Sequence, residues 1–272
     1  MTMTQKDILT RTPPRADQRV NYGTSAQNFV DFRFPKGTGH FPVLLVIHGG
    51  FWLSSYDLAH MGHLCAAFTS KGVVTCNLEY RRIGDSGGAW PGTFQDVAAA
   101  VDFIFDMMSG DPRFDVTKTV ALGFSAGGHL ALWLSARNRI GEGSPLRSRP
   151  KGLFRGVVSL AGVADLRAAW NLRLADGVVR RLMGGTPEEV PERYDAGSPI
   201  ELLPTGVRQV LVHGAADEVV PVSQSEGFVE RAKRLGDDSL LVKLEHTGHF
   251  ELVDPESNAW PTVSRVVLQL LG

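Results

Sequence analysis

Short apolar segments of strand type alternate with segments of helical periodicity along most of this 272-residue chain. Residues 42–47 read PVLLVI, a run without charged residues that is typical of a strand covered on both faces. In residues 93–108 apolar side chains instead recur at intervals of three and four, as on one face of a helix. Strict alternation of the two patterns predicts an α/β fold with a doubly wound, mostly parallel sheet and helices on both faces.

The individual elements can be placed by the same patterns. Strands are predicted at residues 28–34, 42–47, 73–78, 119–122, 157–160, 210–212 and 240–244, and helices at 93–108, 126–137 and 260–271. Thr93 and Asp96 have the spacing of a capping box at the start of the first of these helices. Leu130, Trp133 and Leu134 are expected on one face of the second.

A single domain spanning residues 1–272 fits a chain that is 43% hydrophobic and 21% charged. Residues 1–20 are polar and interrupted by prolines, so we expect an arm or an edge segment there. Residues 163–203 are less regular and carry apolar residues in short helical patterns. We expect this insertion to form a small helical cap across the strand ends.

Charge and cysteine content exclude several classes of protein. Lys and Arg number 28 against 29 Asp and Glu, with no basic stripe, which argues against a nucleic-acid partner. Cys65 and Cys76 have no metal-type spacing and are expected as buried thiols, so no metal is predicted. No run has the length of a signal peptide core or a membrane span, which predicts a cytoplasmic protein without a membrane partner. A homo-oligomer is left open.

Residues 123–127 read GFSAG, a G-x-S-x-G motif placed between a predicted strand and a predicted helix. This motif puts a serine on a strained turn, and small flanking residues let strand and helix approach closely. Ser125 is therefore the expected nucleophile. A serine hydroxyl needs a base to remove its proton and an acid to orient that base.

The acid and the base are expected on later loops, each after a strand. Asp217 follows the strand at 210–212 and His249 follows the strand at 240–244, where Gly248 permits a sharp turn. His246 is an alternative base, and Asp165 and Glu218 are alternative acids. The remaining histidines are expected at the surface or in packing roles: His40, His60, His63, His129 and His213.

The strand at 42–47 ends in His48-Gly49-Gly50, where paired glycines leave backbone N–H groups unobstructed. Gly49 and Gly50, with the N–H of Ala126, are the expected oxyanion hole. Nearby aromatic residues and the cap predict a compact apolar substrate pocket that prefers short acyl groups, lined by Phe51, Trp52, Trp90 and Trp170.

Four motifs in this order resemble those of the α/β-hydrolase superfamily, from about Tyr22 to Leu271: HGGFW at 48–52, EYRR at 79–82, GFSAGGHLA at 123–131 and HGAADEVVP at 213–221. They are most similar to the branch of small serine esterases and kynurenine formamidase-like proteins. The resemblance implies an α/β-hydrolase fold and the roles of nucleophile, acid and base for Ser125, Asp217 and His249.

The predicted activity is hydrolysis of small or aryl carboxylic esters through an acyl-enzyme, without a cofactor, the partner being a small-molecule ester or amide. Arylformamidase activity, the hydrolysis of N-formylkynurenine, is the alternative. An exopeptidase of the prolyl oligopeptidase type and a non-catalytic binding module are further alternatives. Arg81 and Arg82 are either a structural pair or contacts for a substrate carboxylate.

Overall fold

The computed structural model describes residues 3–144, 146–147 and 154–272. Eight strands form one sheet: β1 (Gln18–Asn21), β2 (Phe29–Arg33), β3 (Phe41–Ile47), β4 (Val74–Leu78), β5 (Phe114–Phe124), β6 (Gly156–Leu160), β7 (Gln209–Gly214) and β8 (Ser239–Leu244). The α-helices are α1 (Gln5–Leu9), α2 (Gly62–Thr69), α3 (Gly92–Met108), α4 (Ala126–Ala136), α5 (Leu166–Asn171), α6 (Val178–Met183), α7 (Pro191–Gly197), α8 (Ser223–Arg234) and α9 (Trp260–Leu271). Short 3-10 turns cover Leu58–Met61, Arg137–Arg139, Leu174–Gly177, Pro199–Leu202 and Phe250–Val253.

The order of strands in the sheet is β1-β2-β4-β3-β5-β6-β7-β8. β1 pairs with β2 and β2 pairs with β4 in antiparallel fashion, whereas all later pairs are parallel. The predicted mostly parallel sheet is confirmed. Because β3, β5, β6, β7 and β8 run in one direction, the loops that follow them meet at one edge, where ligands bind in such folds.

Helices cover both faces of the sheet, as predicted. Val43, Leu45 and Ile47 of β3 belong to the buried cluster that includes α3, α4 and α8. Leu44 and Val46 belong to the cluster on the opposite face, with α2 and α9. Both sets of β3 side chains are fully buried, which explains the uninterrupted apolar run at 42–47.

Residues 3–20, expected as an arm or an edge segment, contain a short helix and the start of an edge strand. Within this stretch, α1 forms a short helix and β1 begins an edge strand paired with β2, while residues 1–2 lie outside the described part of the chain. Ile8 of α1 is buried in the same cluster as α2 and α9. The polar composition of the segment gave no indication of this apolar anchor.

The capping box predicted at the start of α3 is wrong. Pro91 is the N-cap residue, without a side-chain capping bond. Thr93 Oγ1 instead donates to the carbonyl of Arg81 across 2.6 Å, and Asp96 accepts from the Arg81 backbone N–H and guanidinium. Both side chains therefore bond to Arg81, which lies outside the helix, and neither caps the helix N-terminus.

The insertion at 163–203 packs on α4. Trp133 Nε1 donates to the carbonyl of Ala196 across 2.9 Å, and His129 Nε2 lies 2.9 Å from the carbonyl oxygen of Gly197. As a result every residue of α4 is buried, including its predicted apolar residues Leu130 and Leu134. The prediction of one buried face was too narrow, because a second layer covers the outer side of this helix.

Candidate active site

Ser125 lies on the turn between β5 and α4 with φ 55° and ψ −118°, a conformation that non-glycine residues rarely adopt. A Cβ atom on Gly123 would lie 1.9 Å from the Gly127 carbonyl oxygen, and one on Gly127 would lie 2.1 Å from the Ile47 carbonyl oxygen. Both flanking glycines are therefore required for strand and helix to approach. The G-x-S-x-G motif has the local geometry that the sequence predicted.

Asp217 and His249 meet after β7 and β8. His249 Nδ1 lies 2.6 Å from Asp217 Oδ2, and the side chain of Asp217 has no exposed surface. The other carboxylate oxygen accepts hydrogen bonds from the N–H groups of Val219 and Val220, each across 2.8 Å. The Asp217 carboxylate is therefore fully buried, forms hydrogen bonds through both of its oxygens, and faces the imidazole of His249.

The electrostatics of this carboxylate follow from its partners. Burial alone raises the pKa of Asp217, but the contact with the His213 ring and hydrogen bonds from His249 and from the Val220 N–H outweigh burial and hold that pKa well below its ordinary value. His213 was expected only in a packing role. Its Nε2 lies 3.4 Å from Asp217 Oδ2 and 2.9 Å from the Val220 carbonyl oxygen, so it also supports the acid.

Ser125 and His249 line the same small cavity. The imidazole is 4% exposed and packs against the rings of Phe124 and Phe250, at centroid distances of 4.7 and 5.1 Å. The structure therefore brings together all three side chains predicted as nucleophile, acid and base.

The alternative acids and base lie in other environments. His246 and Glu218 are exposed. Asp165 caps α5, where its Oδ1 accepts from the Ala168 N–H across 2.9 Å. Among the described residues, only Asp217 forms a hydrogen bond with His249.

The loop after β3 lies directly against Ser125. A Cβ atom on Gly49 would be 3.0 Å from the Ser125 Cβ, and one on Gly50, where φ is 107°, would be 2.3 Å from Tyr56 Cβ. In the described part of the chain, no acceptor bonds to the N–H of Gly49, Gly50 or Ala126. These are the three N–H groups predicted to bind an oxyanion, and that role stays a prediction.

Arg81 and Arg82 both have protein partners. Arg81 forms an ion pair with Asp96 at 2.7 Å, and Arg82 pairs with Asp85 at 3.2 Å and with Glu79 at 3.1 Å. Arg82 is 5% exposed. The structure favours the structural reading of this pair over a contact with a substrate carboxylate.

The predicted substrate-pocket residues separate into two groups. Phe51 lines the cavity with Ser125, as expected. Trp52 does not: it is fully buried, and its Nε1 donates to His129 Nδ1 across 3.2 Å. Phe51 and Trp52 have similar left-handed φ values of 54° and 56°, yet their side chains lie in different places.

The structure also corrects the predictions for the two remaining tryptophans. Trp90 packs on Phe94 at a centroid distance of 5.2 Å and borders a separate surface groove near Arg139. Trp170 lies within the insertion, over Gly177. Neither tryptophan is among the described residues that line the cavity at Ser125. For Trp170 the reason is that its insertion packs on α4.

Sequence reasoning missed most of the cavity wall. Besides the predicted Gly50, Phe51, Ser125 and His249, the wall contains Ile8, Leu9, Tyr56, His60, Phe124, Val219 and Phe250. The two residues of α1 come from the segment expected as a polar arm. His60 is buried, which lowers its pKa to about 3, so this ring is neutral at neutral pH.

Cys65 and Cys76 are buried free thiols, as predicted. Across the described ranges, no group of three potential metal ligands is placed to hold an ion. Within the same ranges, no helix is long and apolar enough to cross a membrane. The cytoplasmic location stays a prediction.

Comparisons with known proteins find that this chain is similar to several esterases. Esterase LipC of Mycobacterium tuberculosis is 27% identical over 93% of this chain, and this chain spans only 64% of LipC. A truncated carbohydrate esterase from gut microbiota has a TM-score of 0.81 at 20% identity, covering 96% of this chain and 99% of the other. Esterase B of Lactobacillus rhamnosis has a TM-score of 0.80 at 20% identity, covering 97% and 89%.

These structural likenesses show that the fold is that of the α/β-hydrolases. The BD-FAE family model matches residues 30–232, about three quarters of the sequence, from β2 through most of α8. The matched region includes Ser125 and Asp217. The chain therefore belongs to the BD-FAE family of the α/β-hydrolase superfamily.

Proposed function

We propose that this protein is a serine hydrolase of small or aryl carboxylic esters. The observation that carries the proposal is the 2.6 Å hydrogen bond between Asp217 and His249, beside a cavity that His249 shares with Ser125. A buried carboxylate that orients a histidine next to a serine on a strained turn is the arrangement that acyl transfer requires. The similarity to LipC supports an ester as the substrate.

The proposed reaction has two halves. His249 Nε2 takes the proton of the Ser125 hydroxyl as the Oγ attacks the ester carbonyl carbon. Asp217 keeps the proton on His249 Nδ1 and stabilises the imidazolium. The resulting tetrahedral intermediate collapses when His249 returns the proton to the leaving alcohol, which leaves an acyl group on Ser125. Water then repeats these steps and releases the acid.

The oxyanion of each tetrahedral intermediate is assigned to the N–H groups of Gly49, Gly50 and Ala126. These groups have no other acceptor among the described residues, and Ala126 stands at the N-terminus of α4, where the helix dipole favours negative charge. Loss of one such donor commonly lowers kcat by about 10² to 10³.

The experiment compares kcat/KM for p-nitrophenyl acetate and for N-formylkynurenine, with Ser125→Ala as the blank. We expect the ester to be cleaved by the wild type only. A preference for the formamide of about 10² or more, roughly 2.7 kcal/mol, would replace the esterase proposal by the arylformamidase alternative.

A second measurement separates a hydrolase from a binding module. A fluorophosphonate reagent is expected to label the wild type with one equivalent, and mass spectrometry of the digest should locate the adduct on Ser125. The variant Ser125→Ala serves as the control. Absence of labelling in the folded wild type would contradict the proposed function.

A further inference from the structure

Helix α1 lines the cavity that contains Ser125. Ile8, which is 5% exposed, and Leu9 contribute to the wall of this cavity together with the predicted nucleophile and base. The cavity has a volume of about 30 Å³, enough for one or two water molecules. Ligand pockets commonly enclose about 300 to 1,000 Å³. With α1 in this position, the space at Ser125 admits very little of an ester.

Polar contacts tie the α1 segment to the body of the protein. The Met3 N–H donates to Glu251 Oε1 across 2.7 Å, and Arg11 forms an ion pair with the buried Asp254 at 2.9 Å. Both acceptors belong to the segment that directly follows His249. The α1 segment is therefore attached to residues close to the predicted base, His249.

Apolar contacts of Ile8 and Met3 with one buried cluster complete the attachment. Ile8 packs into the cluster that contains Met61, Phe124 and Leu252. A helix of five residues is not stable by itself, so the position of α1 depends on these apolar and polar contacts. Displacement of α1 breaks few interactions compared with movement of any central element of the sheet.

We propose that α1 sets the size of the ester that reaches Ser125, with Ile8 and Leu9 as specificity-determining residues. This inference rests on the proposed function. A short acyl or alkyl group fits in the space beside Ile8, whereas a longer one must push α1 away and lose the Ile8 packing. The cover that limits substrate size is then the N-terminal segment, because none of the described residues of 163–203 lines this cavity.

The test measures kcat/KM on two series of esters with the full-length protein. The first series keeps p-nitrophenol and lengthens the acyl group from acetate to butyrate to octanoate. The second keeps acetate and enlarges the alcohol. Ile8→Ala is expected to raise the ratio of kcat/KM for the longest substrate to kcat/KM for the shortest at least about fivefold in one of the two series. A methylene in an apolar site commonly changes such discrimination by tenfold or more. Ile8→Trp is expected to lower the same ratio.

Leu9→Ala provides a second, independent variant, because Leu9 is 44% exposed and its loss does not disturb the core. We expect the same direction of change with a smaller size. Leu235→Ala is the matched control: Leu235 is a leucine of similar exposure, 47%, that follows α8 and does not line the cavity. Its substrate profile should equal that of the wild type.

Unchanged profiles in both series for the Ile8 and Leu9 variants would overturn the inference. That outcome differs from failure of the proposed function, in which the wild type cleaves no ester of either series and Ser125 takes no fluorophosphonate. Thermal unfolding of each variant confirms that the proteins compared are folded.

Discussion

Glu79 Oε1 lies 2.9 Å from His48 Nε2, and the other nitrogen of the same ring lies 2.7 Å from the Gly49 carbonyl oxygen. The carboxylate is 2% exposed and also contacts Arg82 at 3.1 Å. Burial raises the pKa of Glu79, but the charge and hydrogen bond of His48 and the charge of Arg82 reverse this and leave the pKa below its ordinary value. Through His48, a buried carboxylate holds the loop to which we assign the oxyanion.

Glu79→Gln is expected to lower both stability and turnover. The substitution removes one of the two counter-charges of Arg82, leaving Asp85, and it replaces the carboxylate that bonds to His48, which loosens the Gly49 peptide. Breaking a buried ion pair commonly costs about 3 to 5 kcal/mol. Urea unfolding and steady-state kinetics on p-nitrophenyl acetate measure the two effects, with kcat expected to fall more than KM changes.

Glu230→Gln is the control for that variant, because the Glu230 side chain is 71% exposed and its ion pair is at the surface. We expect a change in unfolding free energy below about 0.5 kcal/mol there. Equal stability of the two variants would show that the network around Glu79 does not hold the loop.

Asp217→Asn is expected to lower kcat by about 10⁴-fold with the fold retained, because an amide does not hold the imidazole proton on Nδ1. The comparison is Asp165→Asn, in which an amide oxygen still caps α5. We expect near-normal kcat for the latter. A reversed result, with Asp165→Asn inactive and Asp217→Asn active, would reassign the acid.

Ser125→Ala and Ser125→Gly are both expected to abolish ester hydrolysis, with kcat reduced by about 10⁶. Their stabilities should differ. Alanine keeps the strained φ of 55°, whereas glycine adopts it freely, so Ser125→Gly should be about 1 kcal/mol more stable after the added entropy of its unfolded chain. Denaturant unfolding of the pair measures the strain, and a less stable glycine variant would argue against it.

Acid pH is expected to destabilise the fold through two buried histidines. Burial lowers the pKa of His129 to about 4 and that of His60 to about 3, from an ordinary value of 6.5. Between about pH 6.5 and pH 4 the unfolded chain binds protons that the folded protein does not, so stability falls as pH falls. Each group contributes up to about 1.4 kcal/mol per pH unit.

His129→Gln should flatten this dependence when urea unfolding is compared at pH 7 and pH 5, because one of the two groups no longer titrates. His40→Gln, at an exposed histidine, is the control and should keep the slope of the wild type. A slope that does not change in His129→Gln would show that burial of this ring is not the cause.

Ser125 illustrates what local sequence reveals. Its turn depends on Gly123 and Gly127, which are close to Ser125 in the chain, so the motif alone was enough to predict the geometry of the turn. Asp217 and His249 were predictable from their positions after β7 and β8, because parallel strands bring such loops to one edge of the sheet. The capping box at Thr93 failed for the opposite reason, since its partner Arg81 lies outside the helix.

The sequence by itself determined the alternation of strands and helices, the mostly parallel sheet, and the loops that present Ser125, Asp217 and His249. These follow from periodicity and from residues close together in the chain. The tertiary structure alone decided which surfaces meet: Trp52 faces His129 in the core, and Ile8 of α1 lines the cavity at Ser125. Side-chain patterns specify that a residue is buried, whereas the partner that buries it depends on packing between segments far apart in the chain.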